Sequence, residues 1–197
     1  MKKIEIIWRE LLHQVIEKGN RRFTQKEIAS KFSYSTSTVF QALKVPRKMG
    51  AIKVSGRLFT IEDWEKLLYY WASIRNMEQE VKLLKHVNLP IFEIEGKMPP
   101  NIVFGGFIAA RQILKGDVPA DYDMVLVYAS TLDEITKRFE FTKGRNNLMV
   151  LAADPYLITY GQITTIAQTF VDLWNLPYWY AKEYTRSLKE KIDELLP

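Results

Sequence analysis

The chain has 197 residues with nearly half of them hydrophobic, enough to build a packed core without disulfides or metal. It contains no cysteine, which excludes a disulfide framework, a thiolate metal site and a cysteine nucleophile, and its two histidines, His13 and His86, lack metal-ligand spacing. The net charge of +5 is uneven: residues 1–70 carry 14 Lys and Arg against 7 Asp and Glu, and residues 71–197 carry 14 against 16. The whole positive surplus therefore lies in the N-terminal third, where a basic surface could neutralise phosphates. The opening residues hold Glu5, Arg9 and Glu10 inside their apolar pattern, so they do not read as a secretory signal. No apolar run approaches the roughly 20 residues of a membrane span, and a cytoplasmic protein is expected.

In chain order, Ile4, Ile7, Trp8, Leu11, Leu12 and Val15 recur at helical spacing and predict a helix over residues 3–18, ended by Gly19-Asn20. Thr24 followed by Glu27 is a capping box, with Phe23 and Ile28 placed as a hydrophobic staple, and a short helix over 25–32 follows. Ser35 is a good N-cap for a third helix whose inner side is Val39 and Leu43, and Pro46 is expected to stop it near Lys44. Residues 51–54 and 57–61 alternate around Ser55-Gly56 and predict a two-stranded hairpin. From Glu62 the spacing of Trp64, Leu67, Leu68 and Trp71 is helical, with a continuation expected towards Leu84. Pro90, Gly96 and Pro99-Pro100 mark a junction. Beyond it, NIVFGG, DMVLVYA and NLMVLAA read as strands and residues 107–114 and 131–139 as helices. The region 164–196 reads as a helical tail broken near Asn175-Leu176-Pro177.

The stretch FTQKEIASKFSYSTSTVFQALKVPRKMGAIKVSGRLFTI resembles the winged helix-turn-helix of bacterial and archaeal transcriptional regulators. Its marks are Ile28 and Ala29 in the second helix, Ser35, Thr38 and Val39 opening the third, Leu43 closing it, and Gly50-Ala51-Ile52 entering the hairpin. The resemblance implies that the third helix lies in the major groove of double-stranded DNA. Ser35, Thr36, Ser37 and Gln41 would then face bases or phosphates, and Arg22, Lys44, Arg47, Lys48 and Arg57 the backbone. Gln41 is suited to bidentate pairing with adenine.

A second constellation lies further on. Gly105-Gly106 joins a strand to a helix, Asp121-Tyr122-Asp123 leads into the next strand, and Asp154 follows a later one. This order resembles the nucleotidyltransferase superfamily, in which glycines admit a triphosphate and carboxylates share Mg²⁺. Activity would need Asp121, Asp123 and Asp154 as catalytic residues and Gly105 and Gly106 at the nucleotide. The long spacing from Gly106 to Asp121 and the lack of an obvious cation for a triphosphate argue against it.

Taken whole, the chain is similar to the antitoxin-regulator component of type IV toxin–antitoxin (abortive infection) systems, with Thr164-Thr165 and Asp172-Leu173 as matching points in its closing segment. The expected architecture is mixed α+β and α/β in two domains: a winged helix over 1–75, a helical linker and junction over 76–100, and a nucleotidyltransferase-like sheet with helices over 101–197. The expected function is a DNA-binding transcriptional regulator, non-enzymatic and without cofactor. It would form a homodimer and bind a toxin partner through the C-terminal domain. The alternatives are a metal-dependent nucleotidyltransferase and a winged-helix interaction module. The aromatic residues Trp174, Tyr178, Trp179, Tyr180 and Tyr184 are expected to be core rather than a partner surface.

Overall fold

The computed structural model describes residues 1–196. Helix α1, Lys3–Lys18, has the bounds its apolar spacing predicts, and Gly19 closes it in the left-handed conformation at φ 71°, where a side chain would be strained. Helices α2, Gln25–Lys31, and α3, Thr36–Lys48, follow. The capping box is reciprocal: the Glu27 amide donates to Thr24 Oγ1 at 3.1 Å, and the Thr24 amide donates to Glu27 Oε2 at 2.8 Å. Ser35 caps α3 by accepting from the Thr38 amide at 3.1 Å.

The first sheet has three strands, β1 (Arg22–Thr24), β2 (Ile52–Ser55) and β3 (Leu58–Ile61), in the antiparallel order β1-β3-β2. Sequence pattern shows only the hairpin. Strand β1 is too short to display alternation and is fixed instead by tertiary pairing, with Phe23 opposite Phe59 and their rings 5.6 Å apart.

The expected stop at Lys44 is wrong, because α3 continues through Pro46 for another turn. Proline lacks the N–H that would bond the carbonyl four residues back. Here that carbonyl belongs to Ala42, and the buried indole of Trp8 donates to it at 2.8 Å. The lost intrahelical bond is replaced from α1, so the helix bears the proline. Trp8→Phe is accordingly expected to cost about 1–3 kcal/mol in urea denaturation, since it strands a buried carbonyl. Pro46→Ala in the same chain restores an amide donor and should recover part of that loss. Equal losses with and without Pro46→Ala would refute this account.

Helix α4, Trp64–Ile74, ends where Arg75 turns to extended geometry. The continuation towards Leu84 and the helical linker over 76–100 are both overturned: a short 3-10 turn leads into strand β4, Val81–Val87. Beyond it come α5 (Ile91–Gly96), β5 (Val103–Phe104), α6 (Gly106–Ile113), β6 (Val125–Ala129), α7 (Asp133–Arg138), β7 (Phe141–Thr142), β8 (Leu148–Ala152), α8 (Ile166–Trp174) and α9 (Trp179–Leu195). The sheet order is β5-β6-β8-β4-β7, with β6 and β8 parallel and the other pairs antiparallel. The leucine pair Leu83-Leu84 fits a helical stripe as well as a strand. Pairing with β8 decides the matter, placing Leu83 and Val87 in the core and leaving Leu84 exposed.

Among the described residues the fold is thus mixed α+β with two sheets. One face of the larger sheet, through Leu83, Val125, Val127 and Val150, packs on Ile94 of α5 and Ile135 of α7. Its other face, through Val103, Leu126, Tyr128 and Leu151, joins one continuous core with α1, α4, α6, α8 and α9. Helix α8 is central to that core, and its residues 166–173 are all buried. No helix among the described residues is long and apolar enough to cross a membrane.

Two buried arginines link the helices and hairpin of the N-terminal segment to the larger sheet and its helices. Arg9 of α1 makes a two-pronged bond to Asp154, at 2.6 and 2.8 Å, and donates to Gln168 Oε1 at 3.2 Å. Arg75 grips Glu80 at 2.5 and 2.8 Å and donates to Glu5 Oε2 at 3.3 Å. The carboxylate of Asp172 in α8 lies 3.8 Å from it and accepts from the Tyr128 hydroxyl at 2.7 Å.

The C-terminal aromatics divide. Tyr180 and Tyr184 are core residues, as expected, and Tyr178 is half-buried. Trp174 is 51% and Trp179 76% exposed, so these two are not core. They flank Asn175-Leu176-Pro177, where the tail breaks, and the turn carries both indoles outward.

Candidate nucleic-acid interface

Helix α3 has a buried side of Val39, Ala42, Leu43 and Pro46. Its opposite side is exposed from end to end, at Thr36, Ser37, Phe40, Gln41, Lys44, Arg47 and Lys48. The spacing of three and four residues makes these one stripe along the helix. The Ser35 cap bonds fix the start of the helix and the Trp8 bond fixes its middle, so the stripe is held firmly on α1.

Arg57 lies at the tip of the β2–β3 hairpin, beside Gly56 at φ 59°. Arg22 lies on β1. All the sequence-predicted side chains, Arg22, Ser35, Thr36, Ser37, Gln41, Lys44, Arg47, Lys48 and Arg57, are exposed. Six of them, Thr36, Ser37, Gln41, Lys44, Arg47 and Lys48, fall on the α3 stripe, and Ser35 is engaged as its N-cap. Two further features belong with them. Lys53 pairs with Thr60, and Thr60 with Arg22, so a cation stands on each side of Thr60 across the three strands. The alternation of Ile52, Lys53 and Val54 was the available signal for Lys53. Phe40 is 42% exposed in the middle of the stripe, with the Arg47 guanidinium 6.0 Å from its ring centre.

The charges on this surface are unspent. Of the 14 cationic side chains in residues 1–70, three form ion pairs among the described residues: Arg9 with Asp154, Lys31 with Glu10, and Lys66 with Asp63. Lys44, Arg47, Lys48, Lys53, Arg22 and Arg57 form none there. The acids of the same segment are mostly engaged elsewhere: Glu5 with Arg75, Glu17 beside His13, Glu27 in the capping box and Glu65 with Lys189. The excess of positive charge counted in the sequence is therefore real at the surface and uncompensated locally.

The second constellation does not assemble. Asp123 precedes β6 and Asp154 follows β8, and these strands are parallel and in register from Val125–Leu148 to Ala129–Ala152. The two carboxylates therefore lie at opposite ends of the sheet, on the order of 20 Å apart at about 3.3 Å per residue. Asp154 is occupied by Arg9, Asp123 accepts from Tyr180 and pairs with Arg145 at 2.9 Å, and Asp121 is exposed. Among the described residues no group of three or more His, Cys, Asp or Glu is placed to hold a metal ion.

Gly105 and Gly106 have a packing explanation. A Cβ on Gly105 would lie 2.6 Å from Leu126 Cδ2, and Gly106 sits at φ +53° with its Cβ position 3.2 Å from Leu126. The glycines let α6 close on β6. Phe107, the next residue, stacks on Tyr122 at 5.4 Å and meets Tyr180 and Tyr184 at 5.0 and 5.1 Å, filling the space beside the turn with aromatic rings.

Comparison with known protein families, with characterised proteins and with solved structures finds no match to this chain.

Proposed function

We propose that this chain is a sequence-specific double-stranded DNA-binding transcriptional regulator, with a winged helix-turn-helix spanning 1–75. The observation that carries this reading is the α3 stripe: an exposed, firmly held helix face, polar at its start and cationic at its end, with no acid among its residues and an exposed Arg57 at the tip of the hairpin that follows it in the chain. A helix fits the major groove of B-form DNA, and phosphates there supply the missing counter-charges. The sheet domain and its closing helices are the part assigned to a protein partner, a toxin in the antitoxin form of this reading. The outward Trp174 and Trp179 support that assignment, because exposed tryptophans favour interface centres. Two copies would read paired half-sites.

The test is selection of duplexes from a random pool, followed by anisotropy titration of the selected DNA. Joint substitution of Lys44, Arg47, Lys48 and Arg57 by alanine is expected to weaken binding by about 100-fold at about 0.15 M salt. It should also lower the slope of log affinity against log salt by about 3 to 4, near 0.9 for each phosphate no longer neutralised. These side chains are exposed, so the variant should fold as before. Unchanged affinity, or a pool from which nothing is retained, would overturn the reading.

A further inference from the structure

The α3 stripe is chemically divided, and the division bears on which bases it reads. Its first two turns present Thr36, Ser37, Phe40 and Gln41, all exposed and none charged. Its last turns present Lys44, Arg47 and Lys48. Residues 36–41 span about 7.5 Å along the helix at about 1.5 Å per residue, a length of two to three base-pair steps.

Guanine offers two acceptors in the major groove, N7 and O6, and is matched by Arg or Lys. The first two turns hold neither. Adenine offers an acceptor beside a donor, which the side-chain amide of Gln41 mirrors. Thymine offers a C5-methyl group, for which an apolar side chain is the partner. Phe40 supplies one. It is a large aromatic left 42% exposed at the centre of a polar stripe, and it takes no part in the core on the buried side of α3. The Arg47 guanidinium lies 6.0 Å from its ring centre, near enough to restrain the ring while its own charge stays available to a phosphate.

We propose that α3 reads adenine–thymine pairs, with Phe40 packed on the thymine C5-methyl group and Gln41 paired to an adjacent adenine. This rests on the DNA-binding reading and deepens it to a base composition. Covering Phe40 with a methyl removes apolar surface from water on both sides, which gives the contact its free energy. Thr36, one turn earlier, has a methyl and a hydroxyl that suit the same kind of neighbour.

The experiment starts from the duplexes retained in random-pool selection. The selected core should be a run of A·T pairs. In that core, replacing thymine by deoxyuridine removes only the C5-methyl and is expected to weaken binding about three- to fivefold per contacted base. Phe40→Ala should lose the same factor on thymine DNA and be insensitive to deoxyuridine, and its exposed position leaves folding intact. Replacing adenine by 7-deazaadenine should weaken the natural chain and leave Gln41→Ala unaffected. A G·C core, or indifference of the natural chain to deoxyuridine, overturns the base assignment while leaving DNA binding in place. Failure to retain any duplex overturns both.

Discussion

Arg75→Met is expected to lower the unfolding free energy by about 3–5 kcal/mol in urea denaturation, a large share of what holds a domain of this size together. The guanidinium is buried, and it is the cation that Glu5 and Glu80 share and that Asp172 faces. Glu5 also accepts from the Trp71 indole at 3.1 Å, and Asp172 from Tyr128, so these carboxylates are held in place by neighbours and cannot turn out to water when Arg75 is removed. A buried charge that loses its partner costs far more than the pair contributes when intact.

The loss should also depend on pH. Complete burial pushes the Asp172 carboxyl up to about 7, against the opposing pull of the Arg75 charge and the Tyr128 hydroxyl. The unfolded chain releases that proton near pH ~3.9. Between about pH 4 and 7 the folded state thus holds a proton the unfolded state has lost, and stability from this group falls as pH rises through that window. Asp172→Asn should flatten that fall. Removing Arg75 takes away a pull that favours the ionised form, so the Arg75→Met deficit should be larger at about pH 8 than at about pH 5. A deficit independent of pH would refute the role given to Asp172.

Arg9→Met is expected to cost a similar amount, about 3–5 kcal/mol, and for a related reason. It leaves Asp154, whose side chain is 5% exposed, without its two-pronged partner, and Gln168 Oε1 without its donor. Asp154 keeps only the Tyr156 amide at 3.1 Å. The diagnostic is the double replacement Arg9→Met with Asp154→Leu. If the cost comes from an orphaned charge, the double variant should recover most of the stability lost by the single one. If it is no more stable than Arg9→Met alone, the cost lies in packing instead.

Local chemistry was the part of the fold legible in the sequence. The caps at Thr24 and Ser35, the α1 periodicity and the turn at Ser55-Gly56 are decided by residues close together along the chain. The stripe of α3 was equally legible, because burying Val39 and Leu43 dictates which residues face away. What escaped was decided at a distance. Pro46 reads as a helix stop until Trp8, two helices earlier, is found to supply the missing donor. The leucines of β4 read as helix until β8, much later in the chain, pairs with them. Asp154 reads as a catalytic candidate because its true partner, Arg9, lies near the other end of the sequence. Phe40 follows from the same spacing, one residue after the buried Val39, but it stands out only beside the uncharged residues around it.

Trp8 and Arg9 are neighbours in sequence and point to opposite halves of the molecule. The indole holds the backbone of α3, and the guanidinium holds the loop after β8. Helix α1 is therefore a beam anchored on both sides, sharing one continuous core with α3 and with the larger sheet. With that core shared, a movement of the larger sheet does not leave the stripe behind as a free module. It must either carry the stripe with it as a rigid body or break the beam, and breaking it dissolves the shared core. Any displacement of one part against the other and unfolding are then drawn from the same reservoir of stability.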